Sequence, residues 1–137
     1  MVTEAHETLV KMILSWLETR NLGGEAQIFS DTVGKLGSEK PRKINGYVPD
    51  VYCEIPSLGH AIIGDAKTPN DLETRHTRAQ LEAYADYLAR HKASGELIVA
   101  TRFEWAGSAR SILKNLAPVR QHSGPCVRVL CEFGEWG

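Results

Sequence analysis

Cysteine is scarce in this chain: Cys53, Cys126 and Cys131 are all there is, with no CxxC pair. That excludes a disulfide-stapled fold, and the alternation of these residues with apolar neighbours predicts small buried side chains. An excess of one charge is also lacking. Sixteen Lys and Arg against 17 Asp and Glu leave a net charge of -1, which argues against a polycation that coats nucleic acid by neutralising phosphates. No apolar run approaches the ~20 residues of a membrane span, and Glu4, His6 and Glu7 stand where a signal peptide would carry a basic and then an apolar region. The expectation is a cytoplasmic protein with no membrane partner. Three chemistries lack their residues as well. His6, His60, His76, His91 and His122 are scattered without zinc-ligand spacing, Asp31–Lys35 lacks the glycines of a phosphate loop, and Ser30, Ser57 and Ser111 stand in no nucleophile-elbow sequence.

What is present reads as one domain spanning all 137 residues. Ala5, Leu9, Ile13, Trp16 and Leu17 recur at helical spacing and predict a helix over 3–20, with Thr3 near its start and Asn21, Gly23 and Gly24 at its end. A short strand over 26–31 and a polar loop or long-tipped hairpin over 32–46 follow. Strands are expected at 47–55 and 61–67, a long helix at 72–91, a strand at 96–102, a helix at 108–116 closed by Pro118, and a last strand at 126–133. This order (helix, three strands, helix, strand, helix, strand) predicts an α/β fold, a three-layer sandwich with a central mixed sheet between helices.

The chemistry concentrates in residues 49–67. Strand alternation puts Asp50 on one face with Tyr52 and Glu54, and puts Asp65 with Lys67 and Ile63. Hairpin pairing of the two strands brings Asp50 and Asp65 side by side, with Lys67 one step further. Charged residues are depleted in strand interiors, and two carboxylates sharing a site repel. A divalent cation relieves that repulsion: Mg²⁺ is held by one or two carboxylates plus water and phosphate oxygens. Such an ion polarises a phosphodiester, while Lys67 stabilises developing negative charge. Gly64 and Ala66 leave room for a helix to pack closely on the opposite face.

Pro49-Asp50 followed by Asp65-Ala66-Lys67 resembles the signature of the PD-(D/E)xK nuclease superfamily, over a core that covers residues 3–102. The resemblance implies a restriction-endonuclease-like fold and Mg²⁺- or Mn²⁺-dependent hydrolysis of DNA, with endonuclease action slightly favoured by the compact chain. It places metal ligands on Asp50 and Asp65 and the catalytic lysine on Lys67. Family members often carry a further ligand on the first helix. Glu7 is the first candidate for it and Glu4 the second, while His6, on the apolar stripe, remains open because some exonuclease-like members use a histidine. Gln80 and Tyr84 resemble the Gln-x-x-x-Tyr motif of the RecB-like and phage-exonuclease-like branch, and i,i+4 spacing puts both on one helical face. The short length is also similar to stand-alone junction resolvases and virus-type replication-repair nucleases. Lys40, Arg42, Lys43, Thr68, Arg75 and Arg78 are candidate DNA contacts. Cutting both strands of a duplex suits a homodimer, and a recruiting protein partner is the other source of specificity. The competing expectation is a nuclease-like module that binds or assembles without catalysis.

Overall fold

The structure is a computed structural model that describes residues 4–20, 22–30, 40–72, 74–121 and 124–136. Helical periodicity sets the first element: α1 (Glu4–Thr19) buries Leu9, Val10, Ile13 and Leu17 along one stripe. Six strands form a single sheet: β1 (Gln27–Ser30), β2 (Val51–Ile55), β3 (His60–Ala66), β4 (Ser94–Ala100), β5 (Cys126–Cys131) and β6 (Gly134–Trp136). Their spatial order equals their chain order. The first three and the last two pair antiparallel, whereas β3, β4 and β5 run parallel. Parallel neighbours need crossover connections, and these are α2 (Pro69–Leu72) with α3 (Arg75–His91), then α4 (Ala106–Lys114) with α5 (Ala117–Arg120).

The core splits across the sheet as period-2 alternation requires. Val51, Cys53, Ile62, Ala66 and Ile98 pack with α1, while Tyr52, Ile63, Leu97, Val99 and Val129 pack with α3 and α4. The result is α/β with helices on both faces of one mixed sheet. A close approach at Gly64 holds α1 in place: a Cβ there would stand 3.0 Å from Ile13 Cγ2. Ile13 is fully buried, and a side chain of that kind contributes about 1.5–3 kcal/mol.

Several boundaries differ from the sequence reading. β2 begins at Val51, not at 47. Pro49 has no N–H to donate, and Tyr47 instead exchanges backbone bonds with Ile44 across Asn45-Gly46, both at positive φ. The helix expected from 72 starts at Arg75. Thr74 caps it by accepting from the Thr77 N–H, and Leu72 ends the separate short helix α2. Pro118 opens α5 rather than following a helix end, because a first-turn N–H has no partner to lose. The last strand stops at Cys131 and turns back through Gly134, at φ +105°, into β6. Cys126 is exposed at the start of β5, against the expectation of burial; Cys53 and Cys131 are buried. Thr3 at the expected helix start, the stop at Asn21, residues 31–39 of the loop and His122 lie outside the described residues.

Candidate functional site

Register decides whether the two aspartates meet. Val51 pairs with Gly64, so one further step of the antiparallel ladder sets Asp50 opposite Asp65, although β2 itself starts at Val51. The Asp50 N–H donates to Asp65 Oδ1 at 3.1 Å, and the Ala66 N–H donates to Asp50 Oδ2 at 2.8 Å. Lys67 leaves the end of β3 with its N–H bonded to the Ala100 carbonyl at 3.0 Å. Its ammonium lies 2.9 Å from Asp65 Oδ2. The three side chains singled out at 50, 65 and 67 therefore gather at the carboxyl end of β3.

The face of α3 extends this chain of contacts. Lys67 Nζ donates to Gln80 Oε1 at 2.5 Å, and Gln80 Nε2 donates to the Tyr84 hydroxyl at 3.2 Å. Spacing of i and i+4 makes the second bond available, and the first fixes which way the amide points. Tyr84 is fully buried and meets the Tyr47 ring edge-on, with centroids 6.4 Å apart; Tyr47 meets His76 likewise at 5.6 Å. From the other side, His6 Nε2 lies 3.1 Å from Asp50 Oδ1. Of the three first-helix candidates, His6 is the one in contact with this group. Glu4 and Glu7 make no side-chain hydrogen bond or ion pair among the described residues.

Burial and charge oppose each other here. Asp65 is 2 % exposed. Its carboxyl is pushed up to about 7, first by burial and then by the Asp50 charge, with Lys67 pulling the other way. Burial also pushes Asp50 up, but hydrogen bonds with His6, Asp65 and the Ala66 N–H outweigh it and hold Asp50 below its ordinary range. The Asp50 contact raises His6 in turn, against the opposing effect of burial. Tyr84 is raised by burial and by the Asp65 charge, so its phenol stays protonated. Lys67 meets Asp65 as an ion pair without hydrogen-bond geometry, and Asp65 Oδ2 is thereby left as a buried acceptor lacking a hydrogen-bond partner. Among the described residues one other buried side-chain oxygen shares that condition, Thr101 Oγ1. The ladder that pairs Ala66 with Ala100 sets Thr101 beside Lys67.

This donor set suits one kind of ion. No three His, Cys, Asp or Glu residues among those described form a group able to hold a metal by themselves, so an all-protein cage is not what these residues provide. Two facing carboxylates, one with an oxygen lacking a hydrogen-bond partner, match the protein share of a largely hydrated Mg²⁺ or Mn²⁺. The expected DNA contacts fall into two groups along the chain. Lys40, Arg42 and Lys43 are exposed before the Asn45-Gly46 turn, and Arg75 and Arg78 are exposed in the first turn of α3. Thr68, half-buried, bonds to Asp71 Oδ2 at 2.8 Å.

A second buried carboxylate escaped the sequence reading. Glu96, at the opposite end of the parallel strands, is 4 % exposed. It accepts from Arg20 Nη1 at 2.7 and 2.8 Å and from Arg128 Nε at 2.7 Å, and His60 Nε2 lies 2.9 Å away. Both guanidiniums lie over the Trp16 ring. These partners are remote in sequence, so only the fold assembles them. Comparison with models of known families, with curated proteins and with solved structures finds no match. Among the described residues no helix is long and apolar enough to cross a membrane.

Proposed function

We propose that the chain is a metal-dependent phosphodiesterase of the PD-(D/E)xK type, with a restriction-endonuclease-like core, that cleaves DNA and acts as an endonuclease. One observation carries the reading: Asp50 and Asp65 meet across the hairpin, and Asp65 keeps a buried oxygen without a hydrogen-bond partner beside Lys67. A structural ion pair needs one carboxylate per ammonium. Here a second carboxylate adds repulsion that a divalent cation would remove.

In this mechanism Asp50 and Asp65 hold the cation, with His6 as the first-helix group in place of Glu7 or Glu4. When bound, Mg²⁺ or Mn²⁺ neutralises phosphate charge and activates water. Lys67 presents its ammonium to the negative charge that grows on the phosphate oxygens during attack. Gln80 holds that ammonium at a fixed angle, and Tyr84 holds Gln80; both are positioning residues. His6 keeps Asp50 ionised and oriented. Arg75 and Arg78, with Lys40, Arg42, Lys43 and Thr68, are suited to backbone phosphates. Their small number agrees with the near-zero net charge and leaves specificity to a homodimer or a recruiting partner.

The test is a panel of linear duplex, nicked, branched and single-stranded DNAs incubated with Mg²⁺ or Mn²⁺, with EDTA and Asp65→Asn as controls. Metal-dependent cleavage lost in Asp65→Asn is the expected result. Binding of the same DNAs without cleavage under any metal would replace this reading with the non-catalytic module.

A further inference from the structure

At the carboxyl ends of β3, β4 and β5 a cleft of about 340 Å³ opens between α1 and the loops that leave these strands. Crevices at the carboxyl ends of parallel strands are where open α/β sheets bind ligands, and this one falls within the ~300–1,000 Å³ of small-molecule pockets. Two segments of chain link it to the proposed catalytic cluster. Ala5, which precedes His6, lines it, and so does Thr68, which follows Lys67. A strand whose phosphate sits at Lys67 therefore has its neighbouring base within reach of the cleft.

The lining is apolar on one side and polar on the other. Leu9, Met12 and Pro69 give flat hydrocarbon surface, and Arg102 and Glu132 stand opposite at the ends of β4 and β5. Arg102 uses its Nε on Glu104 Oε2 at 3.3 Å, which leaves the terminal nitrogens as donors. Glu132 Oε1 accepts the Phe103 N–H at 2.7 Å, which leaves Oε2 as an acceptor. A guanidinium beside a carboxylate suits guanine best, and cytosine, with its N4 amino donor beside the N3 acceptor, is the competing match. Guanine offers two acceptors, O6 and N7, to arginine, and two donors, N1–H and the N2 amino group, to a carboxylate. Adenine offers an acceptor at N1, which a carboxylate repels. Phe103 and Phe133, the chain neighbours of this pair, form an exposed edge-to-face pair with ring centroids 5.4 Å apart, 48 % and 79 % accessible. Exposed rings give unstacked bases a surface to stack on.

We infer that this cleft takes an unpaired guanine of the substrate strand next to the cleaved phosphate, with Arg102 and Glu132 reading its edge. The source of the base rests on the nuclease reading; the recognition itself does not. Met12 is one of only two methionines in the chain and lines this cleft and the neighbouring groove beside Lys11 and Trp16. Its ε-methyl NMR signal therefore reports binding at this face, and loss of the shift in Arg102→Ala, a residue of the cleft alone, assigns it to the cleft. In EDTA, where no cleavage occurs, the protein is titrated with guanosine, adenosine and cytidine monophosphates and with short single-stranded oligonucleotides containing guanine, adenine or cytosine. The expected result is a saturating Met12 shift for guanine ligands, tighter for the oligonucleotide than for the mononucleotide. Affinity for guanine falls roughly tenfold or more in Glu132→Gln, the loss of a hydrogen bond to a charged group. Equal response to adenine or cytosine, an unmoved Met12 signal, or unchanged affinity in Glu132→Gln overturns guanine recognition. A mononucleotide that binds as tightly as the oligonucleotide overturns the strand as its source. DNA cleavage that fails while Met12 still responds to guanine sinks the nuclease reading and not the cleft.

Discussion

The parallel strands carry a buried carboxylate at each end, and the two are treated in opposite ways. Glu96 sits at the start of β4 under three basic partners. Burial pushes its carboxyl up, but the bonds from Arg20, Arg128 and His60 outweigh that and hold it below the ordinary range. Asp65 sits at the end of β3 with one backbone N–H, one ammonium and a second carboxylate, and its carboxyl is pushed up. Burial is equal and satisfaction is not. Glu96 has cationic partners on both oxygens; Asp65 has one ammonium, no hydrogen-bond partner on Oδ2 and a second carboxylate beside it, the arrangement on which the proposed cation site rests.

Mutation separates the two ends most sharply. Lys67→Ala is expected to lower cleavage roughly 10²–10³-fold, as removal of a charge-stabilising donor does, with divalent-metal affinity largely kept. A plasmid-nicking assay beside Mn²⁺ calorimetry reads both, and equal nicking by the variant removes Lys67 from the mechanism. Glu96→Ala is expected to do the reverse, lowering stability by about 2 kcal/mol while the folded protein still cleaves. That loss is below the ~3–5 kcal/mol of a fully buried pair because water reaches Arg20 and Arg128 once they are released. Urea denaturation gives the number, and a Glu96→Ala protein that is stable but inactive would blur the distinction between the two ends.

Acidity sharpens the same comparison. The folded protein keeps a proton on Asp65 from the ordinary carboxylate range up to about pH 7, where the unfolded chain has lost it. Native protein then binds more protons than unfolded, so this group removes stability as pH rises through that window. Glu96 has the opposite sign: its contribution is present above the ordinary glutamate range and is lost as pH falls through its lowered value. Asp65→Asn in EDTA is accordingly expected to raise the melting temperature at about pH 7.5 by a few degrees, the shift that ~1 kcal/mol gives, with a smaller gain near pH 5. A gain that is the same at both pH values would mean that Asp65 is ionised throughout. The smallest expected effect lies between the two ends. Thr74→Ala removes the cap of α3, which carries Gln80 toward Lys67, at a loss of about 1 kcal/mol by thermal denaturation and a modest fall in cleavage rate.

The Asp50, Asp65 and Lys67 grouping was legible because strand alternation and hairpin pairing are short-range rules that act within some 17 residues of chain. Layering was legible for the same reason, since the apolar stripes of α1 and α3 and the apolar run of β4 each declare a buried side. Helical phase tells which face a residue occupies but not how far along the sheet its helix sits, so the sequence favours Glu7, whereas α1 seated on Gly64 brings His6 to Asp50. The Glu96 network was illegible in principle. Arg20, His60 and Arg128 stand 76, 36 and 32 residues away, and no local pattern announces such partners. Two signals were available and passed over: Asn45-Gly46 marks a tight turn that shortens β2, and Thr74 three residues before Thr77 marks a helix start.

Strand order that repeats chain order has a consequence for how this protein comes into being. Each new strand docks on the edge left by its predecessor, so the sheet can grow outward while the polypeptide is still emerging from the ribosome, without waiting for a distant segment to close it. The aspartate pair belongs to the second and third strands, so both carboxylates are brought together early. The first helix packs against β2, β3, β4 and β5, the last of which follows it in the chain by more than 100 residues. Chains truncated before residue 126 should therefore keep the acidic pair and the packing of α1 on β2, β3 and β4 while losing its packing on β5.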